Sequence, residues 1–175
     1  EKRVMKKNII LFILSIVVVS SMFATDSSDF WKDRDIALGT SYLISSGPNI
    51  YGLSYQKWYG DFGLELCGGG EYRESYYSDG PYSMANGSVK GQFSVYENNG
   101  GIHARIYTWL LLCAVGEYEA KTKDLSYDIG GGFGFGCELV LWNLISIPLE
   151  FGYAGGAPSN PAFGYCFSSG IRFRM

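Results

Sequence analysis

The sequence predicts an all-β chain closed into an antiparallel, eight-stranded transmembrane β-barrel, and three observations carry that prediction. The first is the stretch Ala162 to Met175. Every second residue from Phe163 gives Phe163, Tyr165, Phe167, Ser169, Ile171, Phe173 and Met175, while Gly164, Cys166, Ser168, Gly170, Arg172 and Arg174 lie between them. A strand sends successive side chains to opposite faces, so one face is almost wholly apolar and the other small or cationic. The second is the lack of a helical span after the N-terminal segment: the longest apolar run there is Trp109 to Val115, well short of the roughly 20 residues such a span needs. Only helices and closed barrels satisfy every backbone group in lipid, so a membrane form of this chain has to be a barrel. The third is a rhythm of connections, tight after the second, fourth and sixth segments and longer after the third, fifth and seventh.

At the N-terminus, Met5-Lys6-Lys7-Asn8 precedes an apolar run from Ile9 to Val19, then Ser20-Ser21-Met22-Phe23-Ala24 and a polar segment. This is the pattern of a secretory signal peptide, which assigns residues 1–24 to export, with 1–4 as upstream sequence, and residues 25–175 to one barrel domain. Removing Lys2, Arg3, Lys6, Lys7 and Glu1 from the 14 bases and 17 acids leaves ten against sixteen. An acidic chain with no basic block argues against a nucleic-acid partner. The 24 glycines and 14 tyrosines suit turns and strands.

In order, Phe30 and Trp31 are expected as interface anchors ahead of the first strand. That strand, about 33–45, sets Ile36, Leu38, Tyr42 and Ile44 against Asp35, Ala37, Gly39 and Ser41. The second, 50–59, opposes Tyr51, Leu53, Tyr55 and Tyr59 to Gly52, Ser54, Gln56 and Trp58, and Gly60-Asp61 turns the chain into a third strand at 62–73. A long connection, 74–88, contains Asn86-Gly87, a turn signal. The fourth strand, 89–97, puts Lys90, Gln92, Ser94 and Tyr96 opposite Val89, Phe93 and Val95; Asn98 to Gly101 then marks a hairpin. The fifth, 102–115, and the sixth, 127–142, flank a charged loop at 116–126. The seventh, 145–156, carries Pro148, which must sit near the turn or at a bulge.

The alternation and the aromatic near the end of the last strand resemble the C-terminal strand of bacterial outer-membrane β-barrels. Over residues 25–175 the pattern resembles the small OmpA/OmpX/OmpW group, with the departure that Arg174 and Met175 follow Phe173. The resemblance implies a monomer in the bacterial outer membrane, short periplasmic turns with both termini on that side, an aromatic girdle including Trp58, Tyr59 and Trp142, and recognition of the last strand by the barrel-assembly machinery. Partners are then membrane lipid and host or surface ligands.

With the apolar face outward, Asp35, Glu65, Glu138 and Glu150 share the lumen with Arg105, Arg172 and Arg174. Charges in a narrow lumen must pair, so they are expected to form a salt-bridged plug, with a structural or surface-interaction role. Trp109, Leu111 and Cys166, near Cys113 and the glycines at 130, 132, 134 and 136, mark a candidate apolar pocket; the alternative is therefore a narrow channel for small apolar solutes. Tyr76, Tyr77 and Tyr82 mark a surface loop. A secreted, soluble lipocalin-like barrel stays open as a further alternative, with the apolar face turned inward. The single histidine, His103, has no Ser or Cys at an evident partner spacing, and no catalytic set, cofactor or metal site is expected. Cys67, Cys113, Cys137 and Cys166 lie in strands with no metal-ligand spacing and are expected mostly as free thiols, only Cys67, Cys113 and Cys166 being placed for pairing.

Overall fold

In the computed structural model, residues 30–46, 48–73, 81–98, 102–120, 122–157 and 160–175 are described; the expected signal segment 1–24 and the loop tyrosines Tyr76 and Tyr77 lie outside them. A four-residue helix, α1 (Phe30–Asp33), precedes eight strands: β1 (Ile36–Ile44), β2 (Ile50–Tyr59), β3 (Phe62–Arg73), β4 (Tyr82–Asn98), β5 (His103–Glu119), β6 (Asp124–Leu141), β7 (Ile145–Ala157) and β8 (Asn160–Arg174). Each strand pairs with its neighbours in sequence, and β8 closes on β1 antiparallel, from Ala37 opposite Arg174 to Ile44 opposite Phe167. Where all eight strands overlap, closure leaves no unpaired sheet edge.

β2, β4, β6 and β8 end at the end of the barrel where α1 lies, here the near end; β1, β3, β5 and β7 end at the far end. Tyr59 pairs with Phe62 around a two-residue turn, and Gly60 sits there at φ 63°, the first-position glycine of a hairpin turn that suits the strand twist. Trp142 and Asn143 also take positive φ in the turn after β6.

The two faces sort as the alternation predicts. Leu53, Leu110, Leu112, Phe135, Phe163, Tyr165 and Phe173 are exposed on the outer wall. Gln56, Glu65, Lys90, Gln92, Arg105, Glu138, Glu150, Arg172 and Arg174 are buried inside. A lipocalin-like arrangement, with the apolar face lining a cavity, is the reverse of this.

Several expected boundaries move. β4 begins at Tyr82, so Asn86-Gly87 lies within a strand, opposite Gly69 and Gly68. The Asn86 side chain does not make a turn; its Oδ1 accepts from the Tyr51 backbone N–H at 3.1 Å. The charged stretch 116–126 is mostly ladder too, with Glu117 opposite Ser126 and Glu119 opposite Asp124. β4, β5 and β6 therefore run 17, 17 and 18 residues, beyond the roughly 9–11 that a membrane crossing needs. With β3, which reaches Arg73 opposite Tyr82, they stand up at the far end as a four-stranded extension.

The aromatics at the near end also depart from expectation. Phe30 and Trp31 are not interface anchors: they are buried, at 7 % and 4 % exposure, inside the barrel mouth. Trp58 is likewise inside, whereas Tyr59 and Trp142 are exposed on the rim.

Candidate functional site: the barrel lumen

The lumen is built in layers. In the middle layer, Glu65 on β3 stands directly opposite Lys90 on β4, and Glu150 on β7 and Arg172 on β8 reach in from across the barrel. Lys90 Nζ donates to Glu65 Oε2 at 3.1 Å and to Glu150 Oε2 at 2.5 Å. Arg172 pairs through Nη2 with Glu65 and donates from Nε to Ser54 Oγ at 3.2 Å. The Tyr107 hydroxyl donates to Glu150 Oε1 at 2.8 Å, and Gln56 Nε2 donates to Gln92 Oε1 at 2.8 Å. Each carboxylate thus meets several donors, which offsets the large cost of taking a charge out of water.

Nearer the termini, Arg174 Nη2 donates to Glu138 Oε2 at 2.5 Å and to Gln56 Oε1 at 2.9 Å, while the Ser146 hydroxyl also donates to Glu138. Arg105 Nη2 pairs with Glu97 at 2.5 Å. Its guanidinium lies between two indoles, 3.8 Å from the Trp58 ring centroid and 4.2 Å from that of Trp31. Arg174 approaches the Trp31 ring at 4.9 Å. A flat, weakly hydrated cation gains most over tryptophan when both are dry.

Of the residues expected in the lumen network, the structure brings Glu65, Glu138, Glu150, Arg172 and Arg174 together and places Arg105 beside them on its own carboxylate. Asp35 does not join: it precedes β1 and stands 3.9 Å from Lys57, which lies on the outer face. Alternation alone had set Asp35 inward, but β1 begins only at Ile36, so the inward parity does not extend to it. Two members escape the sequence-based count. Lys90 lies on the face that alternation turns inward, opposite Glu65. Glu97 has no such signal: the register slips between Ser94 and Tyr96, a β-bulge that turns Val95 and Tyr96 both outward and brings Glu97 opposite Arg105. Four carboxylates, Glu65, Glu97, Glu138 and Glu150, then face four cations, Lys90, Arg105, Arg172 and Arg174.

In the far half, Trp109, Leu111 and Cys166 do not line an open apolar space. They pack with Leu43, Ile50, Cys67, Cys113, Val115 and Ala154 into one buried cluster. Gly134 and Gly152 make room for the indole: a Cβ on either would stand 2.6 or 2.7 Å from Trp109 Cζ2. The opening above this cluster is a cavity of about 550 Å³ lined by Tyr42, Pro48, Tyr51, Glu71, Glu117 and Asp128, more polar than the expected pocket. Tyr82 is half-buried at the start of β4, opposite Arg73 and Glu119 at the far end. All four cysteines are free thiols. His103 stacks on Phe30 at 3.7 Å between centroids and donates from Nε2 to Asn143 Oδ1 at 2.9 Å. Among the described residues, no group of three or more His, Cys, Asp or Glu side chains is placed to hold a metal, and no helix is long and apolar enough to cross a membrane.

No protein-family model and no curated protein matches the chain. Solved structures do. The N-terminal β-barrel domain of Pseudomonas aeruginosa OprF superposes with a TM-score of 0.52 at 10 % identity, covering 80 % of this chain and 96 % of that one. The Neisserial surface protein A gives 0.44 at 11 % identity over 80 % and 94 %, and the attachment invasion locus protein of Yersinia pestis gives 0.42 at 14 % identity over 80 % and 96 %. The fold is that of the small eight-stranded outer-membrane β-barrels.

Proposed function

We propose that the chain is an integral outer-membrane barrel whose lumen is closed by paired charges, and that it serves as a structural and surface-interaction protein rather than as a conduit. The observation that carries this reading is the inversion of the barrel: a band of exposed Leu, Phe and Tyr outside around a buried lattice of Glu, Lys and Arg. In water such a band would be an aggregation surface; in lipid it is the solvated face. The near end is then periplasmic. The long β3–β6 extension, which holds Tyr82, faces outward as the contact surface for host or surface ligands. Export by the segment 1–24 and recognition of β8 by the barrel-assembly machinery belong to the same reading.

The charge-plugged lumen is preferred to a channel for small apolar solutes because the Trp109 cluster fills the half such a solute would enter. No catalytic role is assigned.

The test has two steps. Protein extracted in mild detergent should partition with detergent and shift its gel mobility on heating. Inserted into planar bilayers, it should be electrically silent; persistent single-channel steps would overturn the closed lumen and favour the channel.

A further inference from the structure

We propose that α1 is a stopper for the periplasmic mouth of the barrel, a second closure in series with the charge network and able to leave its seat without unfolding the strands. The inference rests on the closed-lumen reading and adds a seal of different chemistry at a different depth.

A four-residue helix has no stability of its own, since a single turn fixes several backbone dihedrals for one hydrogen bond. Its order is therefore imposed by its seat. Phe30 lies parallel to the His103 ring, with 1° between the planes, and both Phe30 and Trp31 pack with Val140. Trp31 covers the face of Arg105 that Trp58 does not. Two polar contacts hold the segment that follows: Arg174 Nη1 donates to the Arg34 carbonyl at 2.9 Å, and Arg34 Nη1 donates to the carbonyl of Asn143.

The seat is assembled from β2, β5, β6, β8 and the turn after β6. Its Arg174 wall is in place only once β8 has paired with β1, so full docking follows closure. The side chains of Phe30 and Trp31 meet the barrel through rings and cations, and α1 adds no rung to the strand ladder. Lifting it breaks no sheet bond, uncovers His103 and Arg105 and opens the near-end mouth. Behind it the Glu65–Lys90–Glu150–Arg172 layer still blocks the lumen. With the Trp109 cluster beyond that layer, loosening α1 or the charge network alone leaves the barrel closed.

The experiment compares, in planar bilayers, wild type with four variants that all carry Trp109→Ala and Leu111→Ala to clear the far half and are first shown to be folded by their heat-modifiable mobility: no further change, Phe30→Ala with Trp31→Ala, Glu65→Ser with Arg172→Ser, and all four of these substitutions together. Conducting steps in the fourfold variant that neither pair shows alone would support the stopper. Equal conductance from Glu65→Ser/Arg172→Ser alone would overturn it while leaving the charge plug intact, and so would a silent fourfold variant. A conducting wild type would instead overturn the closed-lumen reading beneath it. A measurement on the unmodified protein guards against variants that do not fold. Of the four tryptophans, a docked α1 leaves only Trp142 open to acrylamide quenching, because Trp31, Trp58 and Trp109 are all under 5 % exposed. Quenching of three of the four would overturn the proposal.

Discussion

Arg105 shows how one residue is made tolerable inside a barrel. It is 1 % exposed, its charge is met by Glu97, and both faces of its guanidinium are covered by indoles. Glu97→Ala removes the ion-pair partner Arg105 has among the described residues and should cost about 1.5–3 kcal/mol, the range for hydrogen bonds to charged groups, read as a lower urea midpoint for the folded barrel. Combining Glu97→Ala with Arg105→Met should cost less than the two single changes added, because the stranded cation is gone. Additive losses would mean that the pair is not coupled. At this scale the sequence was only partly legible. Glu65, Arg172 and Arg174 follow from parity along their strands, whereas the partner of Arg105 depends on a one-residue bulge that no pattern in 89–97 announces.

Among the elements, β2 and β3 are found at their expected bounds because their alternation is strict and a glycine turn separates them. β4 is not, since Ala85 to Ser88 is small or polar and contains the Asn-Gly pair usually read as a turn. There the ladder decides against local preference, and the Asn86 amide is used across the barrel on Tyr51. β6 carries a different compromise. Its glycines lower strand propensity, yet Gly134, with Gly152 on β7, is what lets Trp109 lie flat in the lumen. A Cβ at Gly134 would also stand 2.1 Å from the Phe151 carbonyl oxygen and 2.7 Å from the Gly152 Cα, so Gly134→Ala should destabilise the barrel by about 1–3 kcal/mol or more, as overpacking does, and Trp109→Leu in the same chain should recover little of the loss. The refolding midpoint of the double variant checks this; full recovery would mean that the indole, and not the Phe151 carbonyl beside Gly134, sets the limit. The helix α1 was the least legible element: four residues carry no periodicity, and only the cations and the imidazole at the mouth explain why its aromatics turn inward.

For the whole molecule, topology was the most legible property, because eight alternating segments with tight and long connections admit few closed arrangements. The inward and outward faces followed from volume, since a narrow lumen cannot hold the Phe, Tyr and Leu side chains of one face. The lipid reading makes a claim that exposure alone does not. Leu110 and Leu125 are equally exposed, at 70 % and 72 %, but the first sits in the middle of β5 and the second near the far tip of β6. Arginine at Leu110 should cost about 2–4 kcal/mol and at Leu125 about 0–1, the depth dependence of a lipid-facing wall, measured as refolding free energy into vesicles. Equal costs would argue against a bilayer around the barrel. The far-end extension has one more consequence. The β5–β6 ladder runs without a break from His103 opposite Val140 to Glu119 opposite Asp124, and the link between the two strands lies at its outermost tip. A chain cut at 120–123 loses one peptide bond and no rung, so the halves stay together as one object. The barrel's integrity there is a property of the weave and not of the thread.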